Sequence, residues 1–240
     1  MPILSAFGAG RTIPAVGGGI VDGEYSYDFN GSSYFEYPAS SSFAIGTQQF
    51  SIECFVYLDS YPSTTAAILD FGYGSGSASA QTVKFYIDSS GRPVFIRNNY
   101  PTSPSSTAIT SSSSISLATW TYIAVSRVSA GTTRLFINSS QTASSASIAG
   151  TITSGSTKVP SIGGRPSTTT FLSGNISNLR FNLGSSFSTA TVPTQPLTAQ
   201  ATTKMLTCQS STVKDNSVAN GGGPWTVTNS GVTVSTSGPF

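Results

Sequence analysis

The sequence predicts an all-β domain, a sandwich or a barrel, preceded by an extended arm. Three observations carry this. Roughly a dozen short apolar or alternating runs follow one another at regular spacing, with turn residues between them. No run of helical length shows a 3.6-residue period, and no internal repeat stands out. The composition joins 38% hydrophobic residues to only 8% charged ones, far below the ~25% of ordinary globular proteins. Ser, Thr, Gly and Asn must therefore supply much of the surface, and a weakly charged chain this rich in apolar and aromatic residues is not a disordered one. At 240 residues the chain suits one large β domain and can bury enough apolar area to fold without staples.

Residues 1–23 are Gly-rich and follow neither period. They read as an arm, and Ile3, Leu4, Phe7, Ile13 and Val16 give it too much apolar surface for an inert linker. The domain proper is expected over residues 24–240. "YSYDFNGSSYFEYP" reads as strand, turn, strand, with Asn30-Gly31 giving the positive φ of a tight hairpin. "QFSIECFVYLD" is the clearest strand: Phe50, Ile52, Cys54, Val56 and Leu58 fall on one face, and Ser51, Glu53, Phe55 and Tyr57 on the other. "AAILDFG", "TVKFYID" and "PVFIRN" follow, the last two joined by a Ser89-Ser90-Gly91 hairpin. The Ser/Thr/Pro stretch Tyr100 to Ser114 reads as a long loop or a weak edge strand. "TWTYIAVSRV" and "TRLFINSS" form a further hairpin, and "VPSIGGRP", "LSGNISNLRFNLG", "KMLTCQ", "WTVTNSG" and "VTVSTSGPF" complete the set.

Charge and residue usage remove several function classes. Eleven basic and nine acidic residues give a net charge of +2, and the basic residues are scattered, so no patch could track a phosphate backbone and nucleic acid is not an expected partner. Histidine is absent, which takes away the commonest general base and zinc ligand. No apolar run approaches the ~18 residues of a membrane span, so no membrane partner is expected. Met1 to Gly10 has no basic start and no long apolar core, unlike a secretory signal. The expectation is synthesis in a cytoplasm and export by assembly into a particle. Cys54 and Cys208 fit no redox or zinc spacing and are expected to be buried, reduced thiols, with a single long-range disulfide as the alternative.

The ordered set "YFEYP", "QFSIECFVYL", "VKFYIDSSGRPVFI", "TWTYIAVSRVSAGTTRLFINSS" and "SIGGR … FLSGNISNLRF" resembles the successive strands of laminin-G-like (concanavalin A-like) domains, and covers most of Tyr25 to Leu183. The C-terminal strings Pro196-Leu197-Thr198, Leu206-Thr207-Cys208-Gln209, Asp215-Asn216-Ser217 and Pro239-Phe240 resemble the tails of laminin-G-like proteins encoded by tailed phages, especially marine ones infecting cyanobacteria. The resemblance implies a two-sheet antiparallel jelly-roll sandwich. It also implies a virion protein, a capsid decoration or an appendage, whose partners are other virion proteins or copies of itself and, more weakly, host polysaccharide. A receptor-binding tail fibre is the alternative, although no coiled-coil or collagen-like shaft is present, and a cellular lectin is a second one.

A fold does not fix a function, so a site must rest on its own residues. Glycoside hydrolysis needs two flanking carboxylates, and the Glu-x-Asp-x-x-Glu strand of the β-glucanases of this fold has no counterpart here. Asp22, Glu24 and Asp28 have the wrong spacing, and Glu53 has Ser51, Phe55 and Tyr57 as same-face neighbours, so no enzyme is expected. No cofactor is required. Were calcium held, Asp70 and Asp88 would be its ligands, but neither has an acidic neighbour, and Asp88 before Ser-Ser-Gly reads more simply as a turn residue. Tyr61, Tyr73, Asn98, Asn99 and Tyr100 lie at strand ends and are the glycan-binding candidates, against the simpler reading that each tyrosine packs with a wet hydroxyl. Trp120 and Trp225 read as packing residues, and Gly163, Gly164 and Gly174 as close backbone approaches.

Overall fold

The computed structural model describes residues 22–72, 83–98, 106–128, 131–145, 159–165, 170–218 and 223–240. The strands run in chain order as β1 Ser26–Asn30, β2 Tyr34–Glu36, β3 Phe50–Leu58, β4 Thr65–Asp70, β5 Val83–Asp88, β6 Pro93–Asn98, β7 Ser106–Thr110 and β8 Thr121–Arg127. They continue with β9 Thr133–Ile137, β10 Ser140–Ser145, β11 Ser161–Ile162, β12 Ser173–Leu183, β13 Thr203–Thr207, β14 Thr228–Ser230 and β15 Thr233–Ser235. They form two antiparallel sheets. The first has the order β10-β9-β8-β3-β12-β1-β15, with β13 also paired to β12; the second has the order β14-β2-β11-β4-β5-β6-β7. Among the described residues one 3-10 turn, Ser41–Phe43, is the sole helical element, and no helix is long and apolar enough to cross a membrane.

Period-two alternation builds the core. Phe50, Ile52, Cys54, Val56 and Leu58 of β3 all face inward and are fully buried, because consecutive side chains leave opposite faces of a strand. Aromatic rings lock the sheets together: Phe50 meets Phe95 at 5.4 Å and Phe71 meets Phe181 at 5.0 Å, each pair adding to the stabilisation from area alone. Arg127 lies wholly inside this frame, donating to the Gly46 carbonyl at 2.9 Å and to that of Gln48. Burial first, and then the nearby positive charge of Arg97, lowers its pKa to about 10.

The Asn30-Gly31 turn does not make a hairpin. β1 pairs with β12 and β15, whereas β2 pairs with β11 and β14, so the turn carries the chain from one sheet to the other. Asn30 Oδ1 accepts from the Ser32 and Ser33 amides, and Gly31 has φ +81°; the local turn signal is real but does not specify which sheet receives the next strand. Phe29 and Phe35 consequently face one another across the core at 5.6 Å. The β14–β15 connection crosses between sheets in the same way, and the two crossings lie side by side, β1 against β15 and β2 against β14, closing that flank of the sandwich. The hairpins β5–β6 and β8–β9 form where expected, and the stretch Tyr100 to Ser114 supplies the edge strand β7.

A bulge in β12 divides its neighbours. Residues before it pair with β1, and residues after it with β13. Asn178 sits in the bulge at φ +54°, a conformation Asn tolerates better than most residues. Its side chain donates to the Gly23 carbonyl at 2.7 Å and accepts from the Leu197 amide at 2.9 Å. Residues 22 and 23 are thus tied to the sandwich, with Asp22 also paired to Lys214 at 2.6 Å. The arm residues Ile3, Leu4, Phe7, Ile13 and Val16 lie outside the described residues.

Cys54 and Cys208 are both buried and free. β12 runs between β3 and β13, which puts the two thiols roughly 9–10 Å apart at the backbone by strand spacing, beyond the ~7 Å that a disulfide can bridge. Burial raises both pKa values, so neither thiol is a reactive thiolate. Intact-mass analysis should show full alkylation of both only after unfolding, whereas a mass two hydrogens low would contradict the geometry. Ile52→Ala should cost about 2–5 kcal/mol in chemical denaturation, the usual range for deleting a buried aliphatic side chain; a loss of only a few tenths would place Ile52 on the wrong face.

Candidate functional site

The outer face of the first sheet is unusual in that much of it is covered. Glu53, only 4% exposed, lies on it and is neutralised there: Arg180 donates Nη2 and Nε to Oε1 at 2.7 and 3.0 Å, and the Tyr122 hydroxyl donates to Oε2 at 2.7 Å. Burial, and then the Glu53 charge, pushes the Tyr122 pKa well up, so the phenol stays a donor. The segment 184–200 roofs this region. The Phe187 ring meets Phe136 at 5.6 Å and its amide donates to Ser126 Oγ at 2.9 Å, while the Thr198 carbonyl accepts from Arg180 at 2.8 Å. The chain end covers the next row, with Phe240 edge-on to Phe55 at 5.2 Å and the Ser237 carbonyl accepting from Ser26.

Among the described residues this cover does not extend past Phe240. There the ladder brings one row of side chains across the sheet. Thr233 of β15 stands opposite Asp28 of β1, Asp28 opposite Asn175 of β12, and Asn175 opposite Tyr57 of β3. The Tyr57 ring then meets Trp120, the residue before β8, at 5.7 Å. Four strand-to-strand steps make the row roughly 19 Å long. Asp28, Tyr57, Trp120 and Asn175 are half-buried, and Thr233 is exposed. The polar end opens into a cleft of about 570 Å³ lined by Asp28, Asp59, Asn175, Thr233, Val234, Ser235 and Thr236. Gly174, at φ +138°, holds the row together, since a Cβ there would lie 2.1 Å from the Tyr57 carbonyl oxygen.

Of the residues singled out in the sequence as glycan or calcium candidates, Tyr61, Asp70 and Asp88 lie outside this row. Tyr61 is 40% exposed, but its hydroxyl donates to the Ile115 carbonyl at 2.8 Å and its ring closes over Gly91; it is a packed tyrosine with one open edge. Asn98 ends β6 opposite Ser106, its side chain being outside the described set, as are Tyr73, Asn99 and Tyr100. Asp70 is fully buried between Lys84 at 3.2 Å and Arg165 at 3.7 Å, and accepts from the Gly72 amide, so a calcium ion would have to displace two cations. Asp88 accepts from the Ser90 and Arg92 amides and pairs with the Arg92 guanidinium at 2.8 Å. Burial raises its pKa, but the Arg92 and Ser90 hydrogen bonds and the Arg92 charge outweigh this and hold it below its ordinary value. The two carboxylates sit at opposite ends of the β4–β5 pair, about 14 Å apart by strand rise, and cannot share an ion. Among the described residues no group of three or more acidic, Cys or His residues could hold a metal. Trp225 packs on Phe43 at 5.0 Å and donates to the Lys204 carbonyl.

The row is hard to read along the sequence because its members come from five segments of the chain. Asp28 and Asp59 share a cleft although neither has an acidic partner on its own strand. The signal available was the outward parity of Asp28, Tyr57 and Asn175, each alternating with a core residue.

The family model of the concanavalin A-like lectin/glucanases superfamily matches residues 29–182. Among solved structures, a Bacteroides ovatus ATCC 8483 protein named as a carbohydrate-binding candidate is similar, with 12% identity over 90% of this chain and 60% of that one and a TM-score of 0.57. The Ruminococcus gnavus IT-sialidase CBM40, bound to α2,3-sialyllactose, has 15% identity over 68% and 92% of the two chains and a TM-score of 0.53. The LG1-3 region of the laminin α2 chain has 11% identity over 72% and 33%, with a TM-score of 0.51. At these identities the likeness is one of fold. No curated protein matches the sequence significantly.

Proposed function

The chain belongs to the concanavalin A-like lectin/glucanases superfamily, and from that premise we propose that it is a non-catalytic glycan-contacting protein that uses the open row Trp120, Tyr57, Asn175, Asp28 and Thr233. The row is the observation that carries the reading. Two adjoining aromatic rings offer an apolar platform for the C–H faces of a sugar. The amide, carboxylate and hydroxyl beyond them supply the convergent polar groups that fix a ligand's orientation. The names of the Bacteroides and Ruminococcus neighbours point to the same ligand class. Catalysis is not part of the proposal. Asp59 is exposed and Val234 alone is apolar among the cleft residues, so the cleft gives its carboxylates no apolar enclosure.

We further propose that the protein works on a phage particle, as a capsid decoration or appendage, with the arm of residues 1–23 tying it to other virion proteins or to copies of itself. The C-terminal strings and the apolar content of the arm support this placement. A half-open row buries little sugar, so contact by one copy is weak, and many copies on one particle raise avidity by ~10²–10⁴.

A polysaccharide array probed with the isolated protein and with whole particles tests the reading. Particles should bind and the monomer only weakly, with no release of reducing sugar. Trp120→Ala or Tyr57→Ala should weaken particle binding about tenfold or more with the unfolding transition retained. Tight binding by the monomer would favour a receptor-binding tip instead. Full binding by both variants would remove the row from the account, sugar release would overturn the non-catalytic reading, and absence of the protein from purified particles would overturn the placement.

A further inference from the structure

We infer that the open row selects its glycan by charge, accepting neutral and amine-bearing sugars and rejecting those that carry a carboxylate. The inference rests on the glycan reading of the same cleft and adds the class of sugar to it. Two carboxylates, Asp28 and Asp59, line the cleft, and its other lining residues are uncharged. In the ladder the immediate neighbours of Asp28 are Asn175 and Thr233, which bring no positive charge.

Among the described residues no basic side chain lines the cleft, and Lys84 and Arg165 pair with Asp70, Arg92 with Asp88, Arg180 with Glu53 and Lys214 with Asp22. An ionised carboxylate only accepts hydrogen bonds. Sugar hydroxyls and ammonium groups can donate to Asp28 and Asp59 in charge-assisted bonds, whereas a uronate or sialate brings a third negative charge and no donor in its place. The chain as a whole carries +2, so overall charge would attract an anion and the rejection must be local. The Ruminococcus neighbour holds sialyllactose on the same type of fold, so the fold itself does not dictate the sign.

At separations of about 6 Å in water, two like charges together weaken an anionic ligand roughly tenfold. The test uses the full chain displayed multivalently on beads, with tetrasaccharides of gluco and galacto backbones, each in neutral, amine and uronate form, together with lactose and sialyllactose. The amine and neutral forms should bind at least about tenfold better than the matched uronates, and lactose better than sialyllactose. The gap should close at about 1 M salt, where the screening length falls to about 3 Å. In Asp28→Asn/Asp59→Asn the uronates should gain about tenfold relative to the neutral forms. Equal or tighter uronate binding by the unaltered protein, or a gap untouched by salt and by the double variant, would overturn the charge inference while leaving glycan contact standing. Binding to no member of the panel would overturn both.

Discussion

The structure turns on β3 and β12, two adjacent strands buried on both faces over most of their length. An antiparallel sheet commonly packs one face and wets the other. Here eight of the nine residues of Phe50–Leu58 are buried, because the outer face of the sheet carries Phe55, Tyr122 and Phe136 as well as the carboxylate of Glu53. A carboxylate so placed costs several kcal/mol unless it is paired and hydrogen-bonded. Arg180 and Tyr122 meet that need from the strands on either side. The rest of the roof follows: residues 184–200 cross the face, the Asn178 side chain accepts from the Leu197 amide to hold them, and Phe240 closes over Phe55.

The same constraint makes the site. Among the described residues the roof reaches no further than Phe240, and the next cross-strand row, half-buried to exposed, contains two rings, an amide, a carboxylate and a hydroxyl in succession. Covered and half-buried parts of one face thus differ through the path of residues 184–200 and of Ser237 to Phe240. The tight approach at Gly174, where only a residue without Cβ fits against the Tyr57 carbonyl, fixes the middle of the row in register. These groups are therefore held by strands, which under the proposed glycan reading would keep the entropy lost on binding low.

Most of the fold was legible because alternation is a local signal. The inward set Phe50, Ile52, Cys54, Val56 and Leu58 could be read directly, and the core confirms it. The turn at Asn30-Gly31 was legible too, but its outcome was not, since a turn sets a local chain direction and the choice of sheet depends on partners almost the whole chain away: β1 on β15, β2 on β14. The site was less visible for the same reason. Strand ends drew attention to Tyr61, whose hydroxyl is tied to backbone, and to Asp70, whose charge is consumed by Lys84 and Arg165. Asp28 and Thr233 are neighbours only because β15 adds to β1, and an acidic pair sought along one strand cannot find Asp28 with Asp59.

Hydroxyl-radical footprinting with peptide mass spectrometry tests most directly the claim that one half of this face is roofed and the other half open for contact. In the free protein Tyr57 and Trp120 should be labelled, while Tyr122 and Phe55 stay protected by the 184–200 segment and Phe240. Adding a polysaccharide that the protein retains should then protect Tyr57 and Trp120 and leave the labelling of Tyr61 unchanged. Labelling of Tyr122 and Phe55 as fast as Trp120, or protection that falls on Tyr61 and spares Tyr57 and Trp120, would contradict the account.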